Sequence, residues 1–275
     1  MATNVKKITK TEIAKRLGIS RSSLYYKPKR EQIDLEVKFQ IESVMTDNPY
    51  YGHKRIALAL KLNKKRILRV MKKYYLRPLQ KKARFMKRAD MKRPQAKYEN
   101  LVEKFCPIRA NIVWVCDFTY IKYQSRFIYL AVVIDMFTRK VIGYNISRFH
   151  NKSLVVDAFL DAVKTTGVKP QYIHSDQGSE YDSQIYTSLA EQFGIIISMS
   201  DKGSPWENGY VESFFGKFKD ELGDLNRFED LAKVVEKVYR QVWYYNNRRI
   251  HSSLKMSPVE FCNLSRDSVS KEMGT

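Results

Sequence analysis

The sequence predicts an α/β chain in which a mixed five-stranded sheet flanked by helices follows small all-α basic helical modules. Three observations carry this expectation. Three consecutive strand-length runs rich in Val, Ile, Tyr and Phe occupy residues 112–122, 126–135 and 139–147. Beyond them helical and strand patterns alternate, an order that buries a sheet between helices. Ahead of them the charge is segregated: residues 1–110 carry 30 Lys and Arg against 9 Asp and Glu, whereas residues 111–275 carry 20 of each. The whole formal excess of +21 therefore sits in the first part. Such an excess favours a polyanionic partner, either nucleic acid or an anionic membrane surface.

In chain order, residues 11–17 have the apolar spacing of a short helix, Gly18 supplies a turn, and Ser20 is a good N-cap for a second helix starting at Arg21 and ended by Pro28. This is the pattern of a small helix-turn-helix, with Arg21 and Ser22 where base and phosphate contacts are made. Residues 34–45 form another amphipathic helix, broken at Asn48-Pro49-Tyr50-Tyr51-Gly52. Helices follow at 53–62 and 64–76, and the second sets Ile67, Val70, Met71 and Tyr74 along one side. Solvated helix faces normally mix signs, yet residues 54–89 contain no acid. Lys54, Arg55, Lys64, Lys65 and Arg69 are accordingly expected to contact phosphates. Residues 77–100 lose the hydrophobic period and read as a basic arm that orders on DNA.

The three strand runs suit an antiparallel meander, broken at Gln124-Ser125 and Met136-Phe137-Thr138. Helix 152–165, strand 171–175, helix 182–193, strand 195–200 and helices 206–222 and 228–247 complete the pattern. A hydrophobic fraction of 44% supplies a core and argues against wholesale disorder. Cys106, Cys116 and Cys262 are widely spaced and read as reduced thiols of a cytoplasmic protein. The longest apolar run, Phe127–Met136, is about half the roughly 20 residues that span a bilayer, so no membrane partner is expected.

Three acids stand out by position. Asp117 lies in the middle of the first, strongly apolar strand, where a lone charge is costly to bury. Asp176 sits just past the fourth strand, at the kind of strand end where ligands collect. Glu212 is on the helix opened by Ser204-Pro205-Trp206-Glu207, a capping-box spacing with Pro at the first helical position. Val211, Phe215, Phe218 and Leu222 form that helix's core stripe, and Glu212, Gly216 and Lys219 a neighbouring one, so acid and base share a wall with only a glycine between them. Three carboxylates drawn together would repel, and a hard cation such as Mg²⁺ or Mn²⁺ would relieve them.

The strings Trp114-Val-Cys-Asp117-Phe-Thr-Tyr120-Ile, His174-Ser-Asp176-Gln-Gly178-Ser-Glu180-Tyr and Asn208-Gly-Tyr-Val-Glu212-Ser-Phe-Phe resemble the three acidic motifs of DDE transposases and retroviral integrases. The 35 residues between Asp176 and Glu212 match the DD(35)E spacing. Across nearly the whole chain the sequence is similar to the OrfB-type transposases of the IS-three group of insertion sequences. Tyr51-Gly52-His53-Lys54-Arg55-Ile56 resembles that group's N-terminal helical domain. Tyr245-Asn246-Asn247-Arg248-Arg249-Ile250-His251 resembles its C-terminal signature, with Ile250 where proline is expected, and Lys219 also matches.

The resemblance implies a ribonuclease H-like core with Asp117, Asp176 and Glu212 as catalytic residues and ligands of two Mg²⁺ or Mn²⁺ ions. It implies metal-dependent cleavage at the ends of a bacterial insertion sequence and attack of the freed 3′-OH on another strand. Lys219, Arg249 and His251 would contact DNA. The implied partners are double-stranded DNA, both terminal inverted repeats and target, further copies of the chain on that DNA, and an upstream-frame helix-turn-helix protein, fused or paired. The expected domains are a helix-turn-helix (1–30), a basic helical DNA-binding domain (31–80), a basic linker (81–110), the catalytic core (111–225) and a C-terminal helix and tail (226–275).

Three rival readings are weighed. A retroviral-type integrase would carry a His/Cys zinc module, which His53, His150, His174 and His251 and the scattered cysteines do not supply. A catalytically silent DNA-binding regulator would have no need of three intact acids. A ribonuclease acting on RNA–DNA hybrids needs no basic module of 110 residues.

Overall fold

A computed structural model describes residues 9–25, 29–79, 97–103, 105–201 and 208–272. The chain divides into two compact units, Met1–Leu79 and Gln80–Thr275. The basic arm over 80–96, the helix end at Pro28 and the capping box at Ser204–Glu207 lie outside the described residues.

In the first unit, helix α1 (Lys10–Arg16) is closed at its start by a reciprocal capping box between Thr9 and Glu12. Gly18 turns the chain at φ +65°. The expected second helix is a single 3₁₀ turn, Arg21–Tyr25. Ser20 accepts a hydrogen bond from the Ser23 amide and its hydroxyl pairs with those of Ser22 and Ser23, local bonds that compete with α-helix. Helices α2 (Lys29–Asp47), α3 (His53–Leu60) and α4 (Lys64–Lys73) then pack around Ile41, Ile56, Ile67 and Val70. Asp34 of α2 is buried and accepts both guanidinium arms of Arg69, at 2.6 and 2.5 Å, and the Lys73 ammonium at 3.2 Å. These bonds, above all that from Arg69, hold its carboxyl well below the usual carboxylate range. The Arg69 fork thus fastens α4 to α2, a role that spacing alone does not reveal because the acid missing from 54–89 is supplied by an earlier helix.

The second unit is built on five strands: β1 (Val113–Tyr123), β2 (Arg126–Asp135), β3 (Val141–Ser147), β4 (Tyr172–Ser175) and β5 (Ile196–Met199). Their order is β3-β2-β1-β4-β5. The first three form the expected antiparallel meander, whereas β4 runs parallel to β1 and β5 parallel to β4. The strands read as near-continuous apolar runs because both faces are covered. Val113, Val115, Leu130, Val132 and Ile134 face a core shared with α7 (Gly209–Leu222) and α8 (Leu231–Asn247). Trp114, Cys116, Ala131 and Val133 face one shared with α5 (Lys152–Thr166) and α6 (Gln184–Gln192).

Two features depart from the sequence reading. The stretch expected as linker up to residue 110 belongs to this unit from Lys97 onward: Val102 is buried, Phe105 packs on Tyr172 and the Leu101 amide donates to Ser198. The C-terminal tail forms a further helix, α9 (Pro258–Glu272). Its signal was present in Ser257-Pro258-Val259-Glu260, the capping spacing with Pro at the first helical position, and the Ser257 hydroxyl accepts from the Glu260 amide at 3.3 Å.

The C-terminal signature fastens these parts together. Asn246 brackets Val141, accepting from its N–H at 2.9 Å and donating to its carbonyl at 2.8 Å. Tyr245 Oη donates to the Arg139 carbonyl at 3.0 Å, and buried Arg249 donates Nε to Glu221 of α7 at 2.7 Å.

Gly143 is where α5 crosses β3 most closely. A Cβ there would stand 2.4 Å from both the Ala158 carbonyl oxygen and the Ala162 nitrogen. Both contacts are helix backbone and cannot yield as a flexible side chain would. Gly143→Ala is expected to lower unfolding free energy by about 1–3 kcal/mol or more through overpacking. Gly216→Ala, in the interior of α7 with nothing within 4 Å of a new Cβ, should instead add roughly 0.5–1 kcal/mol. Urea unfolding midpoints test the pair, and equal shifts would refute the close-crossing argument.

Candidate active site

The three acids reach one region from three elements. The β1–β4 pairing sets Val113, Trp114 and Val115 opposite Tyr172, Ile173 and His174. Asp117 follows Val115 by two residues along β1, and Asp176 comes directly after the end of β4 at Ser175, so both lie toward the same end of this parallel pair. Side chains alternate along a strand, so Asp117 continues the face of Val113 and Val115, the one covered by α7. Glu212 lies in the first turn of that helix.

Each aspartate is tied down locally. Asp117 Oδ1 accepts from the Phe118 amide at 2.8 Å and Asp176 Oδ1 from the Gly178 amide at 3.0 Å. A Cβ at Gly178 would stand 3.0 Å from Asp176 Oδ1 and 3.3 Å from Glu180 Oε2, so a side chain there would press on both acids.

The electrostatics link Asp117 to both other acids and Glu212 to Asp176. Burial pushes Asp117 up to about 8, and the charges of Asp176 and Glu212 push in the same direction, against the Phe118 N–H bond and Lys219. Asp176 is raised by burial and by Glu180. Glu212 is raised by burial and by Asp176. Lys219, from the same stripe of α7 as Glu212, is lowered by burial against the pull of Asp117, and its Nζ lies 4.7 Å from the centre of the Tyr120 ring. The acids feel one another without closing on a common point. Among the described residues, no three His, Cys, Asp or Glu side chains form a set that could hold a metal ion.

Beside the acids stands a group the sequence reading did not single out. Glu180 is buried and pairs with His150 Nε2 at 3.0 Å. The His150 ring stacks on Tyr129 and lies against Phe118, next in sequence to Asp117. Glu180 was visible only as part of the second acidic string, and nothing local to His150 in the sequence links it to residues 30 positions away.

A search of known proteins bears on what such a site does. The description "Integrase core domain" matches residues 107–205, and a second model of that description matches 193–258. The transposase of insertion sequence element IS904 from Lactococcus lactis subsp. lactis is 34% identical over 253 residues, covering 86% of this chain and 98% of that protein. The chain belongs to the insertion-sequence transposases.

A putative transposase of element IS150 from Escherichia coli, InsK, is 31% identical over 92% of this chain and 93% of that protein. Among solved structures, an intasome of simian T-cell lymphotropic virus bound to a PP2A regulatory subunit covers 81% of this chain and 74% of its own at 16% identity, with a TM-score of 0.52. That likeness shows the ribonuclease H-like integrase fold. As an integrase-core transposase the chain is a polynucleotidyl transferase of the DDE type, and the silent-regulator alternative is not favoured. Among the described residues no helix is long and apolar enough to cross a membrane.

The remaining sequence-predicted residues are spread over both units. Arg21, Ser22, Lys54, Lys64 and Lys65 are exposed in the first, where Arg55 is half-buried over the Tyr51 ring. In the second, Arg249 is 1% exposed rather than at the surface, and both it and His251 line a cavity of about 370 Å³ away from the acids.

Without cation, the acid cluster opposes folding at high pH. A carboxyl whose folded pKa exceeds its unfolded value of 3.8 leaves the fold most stable below that value, and the benefit is lost as pH rises through about 8. Asp117→Asn should therefore be more stable than the parent chain at pH 9 in chelator and nearly equal to it at pH 4. Urea midpoints across that range that run parallel for the two proteins would contradict the cluster's electrostatics.

Proposed function

We propose that Asp117, Asp176 and Glu212 are the catalytic carboxylates of this transposase and its ligands for two Mg²⁺ or Mn²⁺ ions, serving cleavage at element ends and 3′-OH strand transfer. The observation that carries the reading is that Asp117 and Asp176 lie toward the same end of the parallel β1–β4 pair, with Asp117, raised first by burial, also feeling the charges of Asp176 and Glu212. The donor set is all oxygen and its members are destabilised in their charged forms, an environment a hard divalent cation would relieve. When bound, two such ions supply Lewis-acid activation of the attacking oxygen and charge stabilisation at the leaving one.

This chain's own residues do the rest. The Phe118 and Gly178 amides hold the two aspartates in fixed orientation, so little reorganisation is left for the reaction itself. Glu212 approaches from α7 and brings Lys219 with it, whose ammonium would position a phosphate near the acids without ligating a cation. In the first unit Lys54, Lys64 and Lys65 present exposed ammonium groups, and with Arg21, Ser22 and Arg55 they supply contacts to the DNA backbone. The DNA substrates are the element's terminal inverted repeats and the target, and further copies of the chain assemble on them. Pairing with an upstream-frame helix-turn-helix protein would suit a chain whose own second helix is only a 3₁₀ turn. The domain reading that goes with this keeps 111–225 as the catalytic core and the basic units before it as the DNA address.

Asp117→Asn, Asp176→Asn and Glu212→Gln keep size and remove charge, and each is expected to abolish both end cleavage and strand transfer while leaving DNA binding intact. A chelator should do the same to the parent chain. Labelled-oligonucleotide cleavage with any one variant, or in excess chelator, would remove that residue or the cations from the reaction. Lys54→Ala, Lys64→Ala and Lys65→Ala should each lower the slope of log affinity against log salt by about 0.9. An unchanged slope in the triple variant would relocate the DNA address.

A further inference from the structure

The cavity lined by Arg249 and His251 is not explained by the reaction. It lies at the start of α7, against the end of α8 and the turn that follows, with a volume of about 370 Å³. Tyr210, Ser213, Phe214 and Lys217 present one stripe of α7 to it. Glu212 and Lys219 project from another part of that helix, about 100° or more away. The cavity and the acid cluster therefore use different faces of one element.

Two arginines line this space. Arg249 is 1% exposed, and although Glu221 takes its Nε, its buried Nη2 has no hydrogen-bond partner. Arg139 also has a buried nitrogen without a partner, Nη1. A buried charged donor left unmatched is costly, so two around one cavity point to an absent acceptor. Arg139 stands in the turn between β2 and β3 with a left-handed backbone. Its φ is +61°, its amide donates to the Asp135 carbonyl, its own carbonyl accepts from Tyr245 Oη, and its guanidinium lies 3.9 Å from the Tyr210 ring centre. A non-glycine residue persists in that region where its surroundings over-determine it, as at ligand clamps.

The rest of the lining narrows the acceptor. Among the described residues lining it, Arg139, Lys217 and Arg249 are cationic and none is acidic, so the site favours an anion, and paired guanidinium forks match phosphate. The opposite wall is apolar and aromatic, with Ile134, Phe214 and Tyr245. A phosphate alone would leave that wall bare, whereas a nucleotide fills both parts. We propose that this pocket seats one unpaired nucleotide of the DNA substrate, with its phosphate on Arg139 and Arg249 and its base against Phe214 and Tyr245. The proposal rests on the reading of the chain as a DNA strand-transfer enzyme and adds a second, non-catalytic contact to it.

The test compares a blunt duplex with the same duplex carrying a five-thymidine single-stranded tail, by fluorescence anisotropy with the full chain. The parent protein should prefer the tailed DNA by about tenfold, the scale of one stacked and charge-paired nucleotide. Ser213→Trp, an exposed substitution that fills the cavity mouth, and Arg139→Gln should each remove the preference while keeping affinity for the blunt duplex. Thymidine 5′-monophosphate should compete for the tail, and thymidine or inorganic phosphate alone should compete far less. Equal affinity for the two duplexes, or a preference that survives Ser213→Trp, overturns the proposal, and so does displacement of the tail by a carboxylate-terminated peptide but not by the nucleotide. Because Asp117→Asn should retain the tail preference with no cleavage, loss of the pocket and loss of the catalytic reading give different results.

Discussion

Neighbouring parallel strands lie about 4.8 Å apart, and two carboxylates at one level of such a pair cannot escape each other's field. Asp117 on β1 and Asp176 just past the end of β4 lie toward the same end of such a pair, within a sheet buried on both faces, and Asp117 feels the charge of Asp176. A one-residue slip would turn Asp117 away from α7 and expose half of each apolar strand to the wrong core. The packing that stabilises the sheet is therefore also what keeps the acids together. Burial first, and the charges of Asp176 and Glu212 after it, push Asp117 up to about 8.

Around this constraint the C-terminal signature acts as a set of braces. Tyr245, Asn246 and Arg249 bind, in turn, the Arg139 carbonyl, both backbone groups of Val141 and the Glu221 carboxylate of α7. Through Glu221 the end of α8 holds the helix that carries Glu212, and through Val141 it holds the start of β3. These three residues of the signature, which look like surface groups in the sequence, are internal joints. Arg69 in the first unit repeats the theme, spending its fork on Asp34.

The sheet was legible in the sequence because its strands are long apolar runs bounded by polar turns, and each expected strand lies within about two residues of the observed one. The acids were legible through their strings and the 35-residue spacing, not through any local property of a carboxylate. Less was visible where long-range pairing decides. Arg69 could not be separated from Lys64 or Lys65 by spacing, since its partner is 35 residues away. The 3₁₀ turn at Arg21–Tyr25 was misjudged because three serines that suit a helix start also bond to one another. The helix at Pro258–Glu272 was passed over although its start repeats the signal used for the stretch before Glu212.

Strand β3 ends the sheet on one side, a place where bare amides invite another strand to pair. Here two of its backbone N–H groups are already taken by side chains, Val141 by Asn246 and Tyr144 by Asp161 of α5. Asn246 takes the Val141 carbonyl as well, imitating a single rung of a neighbouring strand. A second copy seeking to extend the sheet at that rim would first have to displace these internal surrogates. Strand addition at that rim, the route that leads to aggregation, is thereby disfavoured.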